Sequence, residues 1–384
     1  PIEIAAYIQD KIEFSDEIIL NLGVRLDVFD PNEKVPINFR AESFLLGSES
    51  NLTDASTKWQ ISPRVGISFP ISSTGAFHGS YGHFFQMPPY QRMFNEPLVS
   101  LNRNQLDGRL LGNANLDPER TIAYEIGLQQ GVTGSIAVDV TAYYKDFRNL
   151  LGIEPKTTVD RVTYYRYINR DYGYSKGLTI DVTKRSGLVN GGINYTLAFA
   201  NGSSSDPAVL NLINVATRVG GESEVFPERK ILSLNWDQRH TINAFVNVVK
   251  EDNWTVGLTG FLSSGTPYTP DLLENFEVNR RELTNSAFKP TQWNVDLKIK
   301  KFLHLAGVKS AVFLKVDNVF DHLNHERVYA ISGKADQIAQ LPEIQARDYQ
   351  IIRSEGLFTN EEIYISPYFF SQPRKIQVGL EIQL

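Results

Sequence analysis

Cysteine is absent from this chain of 384 residues, which excludes disulfide bonds and thiolate metal sites. No apolar run reaches the roughly 18 residues that a membrane-spanning helix needs. The net charge is −6 and no basic face stands out, which argues against nucleic acid as a partner. The mean hydropathy of −0.24 is typical of a soluble protein. It does not exclude a membrane β-barrel, because every second residue of a barrel strand is polar.

A secretory signal peptide is also missing from the start of the sequence. Pro1-Ile2-Glu3 has no basic start, and no apolar core follows it. Residues 4–14 already have the composition of a β-strand. We therefore expect the sequence to be a fragment that begins within a sheet.

What the chain does have is a repeated alternation of apolar and polar residues. From Trp293 to Ile299 every odd-numbered residue is apolar, and from Asn294 to Lys300 every even-numbered residue is polar or charged. Residues 376–384 alternate in the same way. A period of two predicts β-strands whose side chains point to opposite faces. One face is apolar and the other carries charges that a packed interior would not accept, so the pattern predicts a transmembrane β-barrel with a wet lumen.

The same pattern predicts thirteen strands arranged as hairpins. Short turns rich in Gly, Asn, Asp and Ser alternate with long connections, of which 152–162 is one. In an outer-membrane barrel the short turns face the periplasm and the long loops face outward. The predicted strands are 3–14, 17–29, 59–71, 76–88, 119–131, 135–151, 163–185, 191–201, 240–250, 254–268, 291–304, 309–321 and 373–384.

The odd number of strands has a consequence for the whole barrel. Single-chain bacterial barrels usually have an even number of strands, so thirteen predicts an incomplete barrel. An unpaired strand edge is costly in lipid, because its backbone groups have no hydrogen-bond partner there. We expect that this chain alone is not a stable membrane protein.

Several motifs appear in order along the chain. Residues 7–27 contain YIQDK followed by LNLGVRLD, residues 61–66 are ISPRVG, and residues 81–89 run from YG to PP. The most specific motif is GNANLDPE at 112–119, followed by YEIG at 124–127. Another, VDNVFD, occupies 316–321. With these motifs the sequence resembles the C-terminal barrel of TonB-dependent outer-membrane receptors.

The resemblance implies an all-β fold, a transmembrane antiparallel up-and-down β-barrel that is partial. Residues 1–384 would be the C-terminal portion of the barrel, with about 13 of the family's 22 strands and no plug domain. It further implies active uptake of a bulky scarce ligand, such as a siderophore, cobalamin, haem, a glycan or a peptide. The location would be the outer membrane of a Gram-negative bacterium.

The same resemblance implies partners but no catalysis. The expected partners are outer-membrane lipid, the transported ligand, the barrel assembly machinery and the TonB complex, which acts through a plug domain. No cofactor, no nucleic acid and no enzymatic activity are expected.

Two other classes of function remain open. One is a passive porin-like channel. The other is an enzyme, either a membrane-embedded hydrolase or a soluble or secreted β-protein, but neither a Gly-x-Ser-x-Gly elbow nor a phosphate-binding P-loop occurs. His322 and His325 have a spacing that could hold a metal on a helix. They open a long loop, so we predict solvated loop residues there and no metal site.

Aromatic and arginine side chains at concave surfaces favour ligand binding. We predict such contacts at the outer ends of strands and in the long loops. For the tyrosines the alternative is an aromatic girdle at the lipid interface, and for the arginines it is binding to lipopolysaccharide phosphates. The ligand-contact candidates are Tyr81, His83, Tyr90, Arg92, Tyr165, Arg166, Arg218 and Arg229.

The motif residues also have structural interpretations. Asn113 and Asn115 suit a turn that delivers the chain into a strand. The charged residues within 119–125 are expected to support the strand ladder or to pair across the lumen. Asn318 and Asp321 are expected to close a strand end through side-chain to backbone hydrogen bonds.

Overall fold

Thirteen antiparallel strands, joined edge to edge in chain order, form the main path of the large sheet in the described part of this computed structural model, and two strands of two residues each, Leu110–Leu111 and Leu232–Ser233, pair beside that path. The predicted number of strands and the up-and-down order are therefore confirmed. The structure describes residues 1–14, 17–95, 106–203, 231–271, 283–305, 308–337 and 366–383. The strands are β1 (Ile2–Phe14), β2 (Ile18–Asp30), β3 (Lys58–Ser72), β4 (Gly75–Gln86), β5 (Glu119–Gly131), β6 (Ile136–Thr157), β7 (Thr163–Lys184), β8 (Val189–Gly202), β9 (His240–Lys250), β10 (Trp254–Ser263), β11 (Gln292–Leu305), β12 (Val308–Asp317) and β13 (Lys375–Gln383).

The sheet is open in the described ranges, with β1 and β13 as its two edges. Tyr7 and Ile8 are consecutive in β1 and are 76% and 75% exposed, so neither face of this edge strand is covered. Within those ranges, the structure has no helix of the length and apolarity that crossing a membrane requires.

The register separates apolar from polar side chains across the whole sheet. Leu258 of β10 pairs with Leu297 of β11, which in turn pairs with Val316 of β12. Lys298 follows Leu297 and pairs with Lys315 on the opposite side of the sheet. Directly paired residues share a side of the sheet, so the apolar side chains form one continuous surface. We call this surface the apolar face and the other the polar face.

The prediction of a long loop at 152–162 is wrong. Strand β6 continues to Thr157, and only residues 158–162 form the turn. Gly152 and Pro155 look like strand breakers in the sequence. The pairing of β5 with β6 ends at Arg148, so Pro155 lies where β6 has no neighbour on that side. Proline is tolerated at such an edge because no ladder hydrogen bond is lost.

Two other predicted strands are too long. The strand predicted to reach 268 ends at Ser263, and the one predicted to reach 321 ends at Asp317. The second ends where Asn318 adopts a positive φ of 56°, which takes the backbone out of the extended conformation. The hairpin of β6 and β7 is long instead, with 22 residues in each strand. A tilted strand needs roughly 9–11 residues to cross a bilayer, so about half of this hairpin projects beyond it.

The packed core lies at the long-loop end of the sheet. Segments 31–57, 87–95 and 106–118 fold against the projecting end of the hairpin, 149–171, and we call this assembly the loop cap. Its buried side chains form two clusters. The first contains Leu46, Leu106, Leu111, Val162 and Tyr164, and the second contains Phe29, Met93, Leu116 and Leu151.

Candidate functional site

A cavity of about 270 Å³ lies inside the loop cap. Its wall includes the apolar side chains of Phe39 and Met93 and the charged side chains of Glu33, Lys34 and Arg166. Apolar walls with a few placed polar groups are typical of sites that bind small organic molecules. The loop cap therefore has the composition of a ligand-contact surface.

Of the ligand-contact candidates that lie in the described part of the chain, Arg166 lines this cavity. Its Nε donates a hydrogen bond to Glu154 Oε1 at 2.7 Å, and its guanidinium lies 3.7 Å from the centroid of the Phe39 ring. Lys156 also pairs with Glu154, at 3.2 Å. The carboxylate and the ring hold the guanidinium in one position, through a charge-assisted hydrogen bond and a cation–π contact. The charged residues that line the cavity are two carboxylates, Glu33 and Glu49, and two cations, Lys34 and Arg166, so the wall carries charges of both signs.

Tyr165 is buried, with 2% of its surface exposed, and does not line this cavity, so its contact with a ligand stays a prediction. Its backbone pairs with Leu110, in a short segment that runs parallel to β7. The neighbouring Tyr164 lines the cavity, and its hydroxyl donates a hydrogen bond to the carbonyl of Phe39 at 2.8 Å. Tyr164 belongs to the same run of aromatic and basic residues, 164–167, as the candidates Tyr165 and Arg166, and it is the tyrosine of that run that lines the cavity.

Tyr90 and Arg92 lie in the short helix α1 (Tyr90–Phe94) of the loop cap. The Tyr90 ring is 6.0 Å from the Phe29 ring, and the Arg92 guanidinium is 5.8 Å from the centroid of Tyr167. The structure thus brings Tyr90, Arg92, Tyr165 and Arg166 into one cap, but Arg166 is the member of this group that reaches the cavity wall.

Tyr81 and His83 lie elsewhere, on the apolar face of β4, where they are hydrogen-bonded to each other. Tyr81 pairs with Tyr124, and the row continues through Tyr144 to Tyr174, with ring centroids 5.1, 6.3 and 6.2 Å apart. Such a row is typical of an aromatic girdle, the alternative given for these tyrosines. Ligand contact by Tyr81 and His83 stays a prediction.

The two other candidates, Arg218 and Arg229, lie outside the described residues. Their contact with a ligand also stays a prediction.

The motif at 112–119 anchors the loop cap. A Cβ on Gly112 would lie 2.7 Å from the backbone nitrogen of Asn95, so only glycine allows this close approach. Asn113 Nδ2 donates to the carbonyl of Tyr167 at 2.8 Å, and Asn113 Oδ1 accepts from the amide of Asn115 at 3.0 Å. The predicted role of these asparagines in a turn is confirmed.

The same motif ties the loop cap to the sheet. Asp117 forms an ion pair with Lys58 at the start of β3, at 2.9 Å. The Asp117 amide donates to Asn169 Oδ1 at 2.7 Å, and Asn169 Nδ2 donates to the carbonyl of Asn149 at 2.8 Å. The motif therefore links β3 to the projecting hairpin of β6 and β7.

The motif at 316–321 closes the end of β12, as predicted. Asn318 Nδ2 donates to the carbonyls of His322 and Gln372, and Asn318 Oδ1 accepts from the amide of His322 at 2.9 Å. Asp321 Oδ1 accepts from the amide of Arg374 at 2.7 Å. These hydrogen bonds join the start of the long connection between β12 and β13 to the end of that connection, just before β13.

His322 and His325 are held by different neighbours. The His322 ring stacks on Trp293 with centroids 4.3 Å apart, and His325 Nδ1 accepts from the amide of Ala335 at 2.8 Å. Across the ranges that the structure describes, no three or more His, Asp or Glu side chains form a group that could hold a metal ion. The two imidazoles contribute to packing and hydrogen bonding of the connection.

Asp160 in the turn of the projecting hairpin fastens the segment around Ser43. Its carboxylate accepts hydrogen bonds from the Ser43 amide at 3.0 Å and the Ser43 hydroxyl at 2.6 Å. These bonds favour the ionised form, and the hydrogen bond from the Ser43 hydroxyl is the first cause of a pKa of Asp160 lowered to about 2. The attachment should be complete above the ordinary carboxyl pKa of about 3.9 and lost as the pH falls through about 2.

Hydrogen exchange of the Ser43 amide would check this expectation. Protection should be high at pH 5 and should fall near pH 2, and Asp160→Asn should reduce it at both pH values. Asp54→Asn removes an exposed carboxylate from the same cap and should leave protection unchanged. Equal protection of the wild type at both pH values would show that the Asp160 carboxylate does not fasten Ser43.

Comparison with solved structures gave several barrels of similar fold. The outer membrane transporter YddB from Escherichia coli superposes with a TM-score of 0.58 at 12% identity, covering 84% of this chain and 42% of that one. FpvA of P. aeruginosa, bound to a heterologous ferric pyoverdine, gives 0.55 at 13% identity, covering 98% and 38%. The FrpB iron transporter from Neisseria meningitidis gives 0.54 at 14% identity, covering 84% and 40%. Such identities show the fold alone.

This chain therefore spans about two fifths of the length of these structures (42%, 38% and 40%). The comparison with curated protein sequences gave no match. A family model described as TonB dependent receptor-like, beta-barrel matches residues 3–319, well over half of the chain. The thirteen antiparallel strands in up-and-down order agree with that match. The chain thus belongs to the TonB-dependent receptor β-barrel family.

Proposed function

We propose that this chain forms part of the wall and outer vestibule of an outer-membrane receptor that actively takes up a bulky, scarce ligand. The observation that carries the proposal is the family match over residues 3–319, together with a folded loop cap at the outward end of the sheet. Energy would come from the TonB complex through a plug domain. Barrel assembly machinery and outer-membrane lipid are the other proposed partners.

The ligand class is proposed from the chemistry of the loop cap. The cavity of about 270 Å³ is slightly smaller than the roughly 300–1,000 Å³ of sites that enclose a whole drug-sized molecule. It would hold one arm of a larger ligand, against the Phe39 ring and the fixed guanidinium of Arg166. An aromatic group, stacked on the Phe39 ring or on the Arg166 guanidinium, suits that wall best.

Metal chelates are the first ligands to test. The similar structures include a ferripyoverdine receptor, a ferric-catecholate import receptor and a copper transporter. Many chelates present the aromatic edges that this wall suits. Cobalamin, haem, glycans and peptides are the remaining classes.

The test is uptake by the protein expressed in its complete natural reading frame. A Gram-negative host that lacks its own siderophore receptors would be given radiolabelled ferric siderophores, with cobalamin, haem, glycans and peptides as parallel substrates. We expect accumulation of one class, saturable at low concentration, and its loss when the TonB complex is deleted.

A passive porin-like channel makes the opposite prediction. Uptake that persists at the same rate without the TonB complex, with conductance in liposomes that have no energy source, would replace active transport by passive diffusion. Conversion of a substrate in the medium without accumulation would instead support a membrane-embedded hydrolase.

A further inference from the structure

The four charged residues that line the cavity of the loop cap differ in exposure and in pairing. Arg166 is largely buried, and its guanidinium is already paired with Glu154 at 2.7 Å. The other three, Glu33, Lys34 and Glu49, are exposed, and we call them the rim of the cavity. In the ranges that the structure describes, none of the three rim side chains forms an ion pair. The rim is therefore the part of the cavity whose charges can act on a ligand.

The deeper wall of the cavity is apolar. Val35, Met93 and Leu111 line it with 7%, 2% and 2% of their surfaces exposed. The polar side chains of Tyr164 and Asn113 also line it, and each already donates a hydrogen bond to a backbone carbonyl at 2.8 Å. A polar group that enters this part would lose its water without an equal replacement, whereas an apolar ring would gain contact area. The deeper wall therefore suits a ring.

The rim retains a negative charge. The ammonium of Lys34 can neutralise one of the two carboxylates of Glu33 and Glu49, and the other stays negative. Charges at an exposed rim act over a few ångströms before water and salt screen them. A cationic group at the entrance would be attracted by the remaining carboxylate, and an anionic group would be repelled by it.

We propose that the cavity binds an arm of the transported ligand that carries an aromatic ring and a protonated amine. The ring would contact the apolar wall, and the ammonium would lie at the rim beside Glu33 and Glu49. The arm belongs to the ligand of the proposed function, on which this proposal rests. What is added is the chemical class of the arm, which is cationic and aromatic. Arms that end in a carboxylate or a phosphate are disfavoured.

The test compares three fluorinated probes of similar size that differ in charge. They are 4-fluorophenethylamine, 2-(4-fluorophenyl)ethanol and 3-(4-fluorophenyl)propanoate. The complete protein in lipid nanodiscs would be titrated with each probe at pH 7, with fluorine NMR as the readout and empty nanodiscs as the blank. We expect the amine to bind about three- to fivefold more tightly than the alcohol, as exposed ion pairs allow, and the acid to bind most weakly.

Glutamine substitutions at the rim separate charge from shape. The double variant Glu33→Gln with Glu49→Gln should remove the preference for the amine and leave the affinity for the alcohol unchanged. Lys34→Gln should act in the opposite direction and tighten binding of the amine. Glu42→Gln is the matched control, because Glu42 is exposed in the same segment but does not line the cavity, and it should change nothing. All four side chains are exposed, so these changes should not affect folding.

Three results would overturn the proposal. The first is equal binding of the amine and the alcohol by the wild type. The second is tightest binding of the acid, which would assign the cavity to an anionic arm through Lys34 and Arg166. The third is the absence of saturable binding by all three probes. Uptake that depends on the TonB complex is measured separately in cells, so failure of the proposed function can be distinguished from each of these results.

Discussion

Leu297→Lys is expected to lower the free energy of unfolding by about 2–4 kcal/mol, whereas Lys298→Leu should change it far less. Leu297 lies near the middle of β11 on the apolar face, between Leu258 and Val316. A lysine there would place a charge among hydrocarbon chains at mid-membrane depth. Lys298 is on the polar face and exposed, so a leucine there meets water and replaces no lipid contact.

The measurement is a urea titration of the complete protein in lipid vesicles, with folding followed by electrophoretic mobility and tryptophan fluorescence. The two changes affect neighbouring residues and exchange the same two residue types, so each serves as the control for the other. Equal losses of stability would contradict the assignment of lipid to the face that carries Leu297.

Phe29→Ala is expected to destabilise the loop cap by about 3–5 kcal/mol. Phe29 is fully buried, with 0% of its surface exposed, against Met93, Leu116 and Leu151. These partners come from α1, from the motif at 112–119 and from the projecting part of β6. Removing the ring would leave a cavity where these three segments meet the long-loop end of β2.

Native-state hydrogen exchange can isolate this effect from the stability of the sheet. The amides of Gly112 and Leu116, which donate to the carbonyls of Asn95 and Asn113, should lose protection in Phe29→Ala. Phe44→Ala is the matched control, since Phe44 lies in the same cap but is 69% exposed, and it should have little effect. Unchanged protection in Phe29→Ala would show that the cluster does not hold the cap together.

The thirteen strands were predictable because alternation is a local property of the chain. Two of them, 119–131 and 240–250, have the predicted bounds. The motif at 316–321 was equally open to prediction, since an asparagine and an aspartate next to a strand end form hydrogen bonds over a few residues or to the adjoining strand.

The faces of the tyrosine candidates were harder to predict. Strand β4 carries aromatic residues on both faces, with Tyr81 and Phe85 on one and Phe84 on the other, which blurs its alternation. The pairing of Tyr81 with Val65 and Tyr124 is what places it on the apolar face. Nearness along the chain therefore groups Tyr81 with Tyr90 and Arg92 of the loop cap, whereas the structure places Tyr81 apart from them, on the apolar face of the sheet.

The sequence by itself determined the strands, the short turns and the family, because these depend on residue type at short spacing. Tertiary structure decided which residues meet across long separations. It set Arg120 opposite Arg148, brought Phe39 to Arg166 and extended β6 past Pro155. Strand register and the packing of the loop cap control these contacts. Both are set by the summed energy of many distant pairs, which no local pattern in the chain contains.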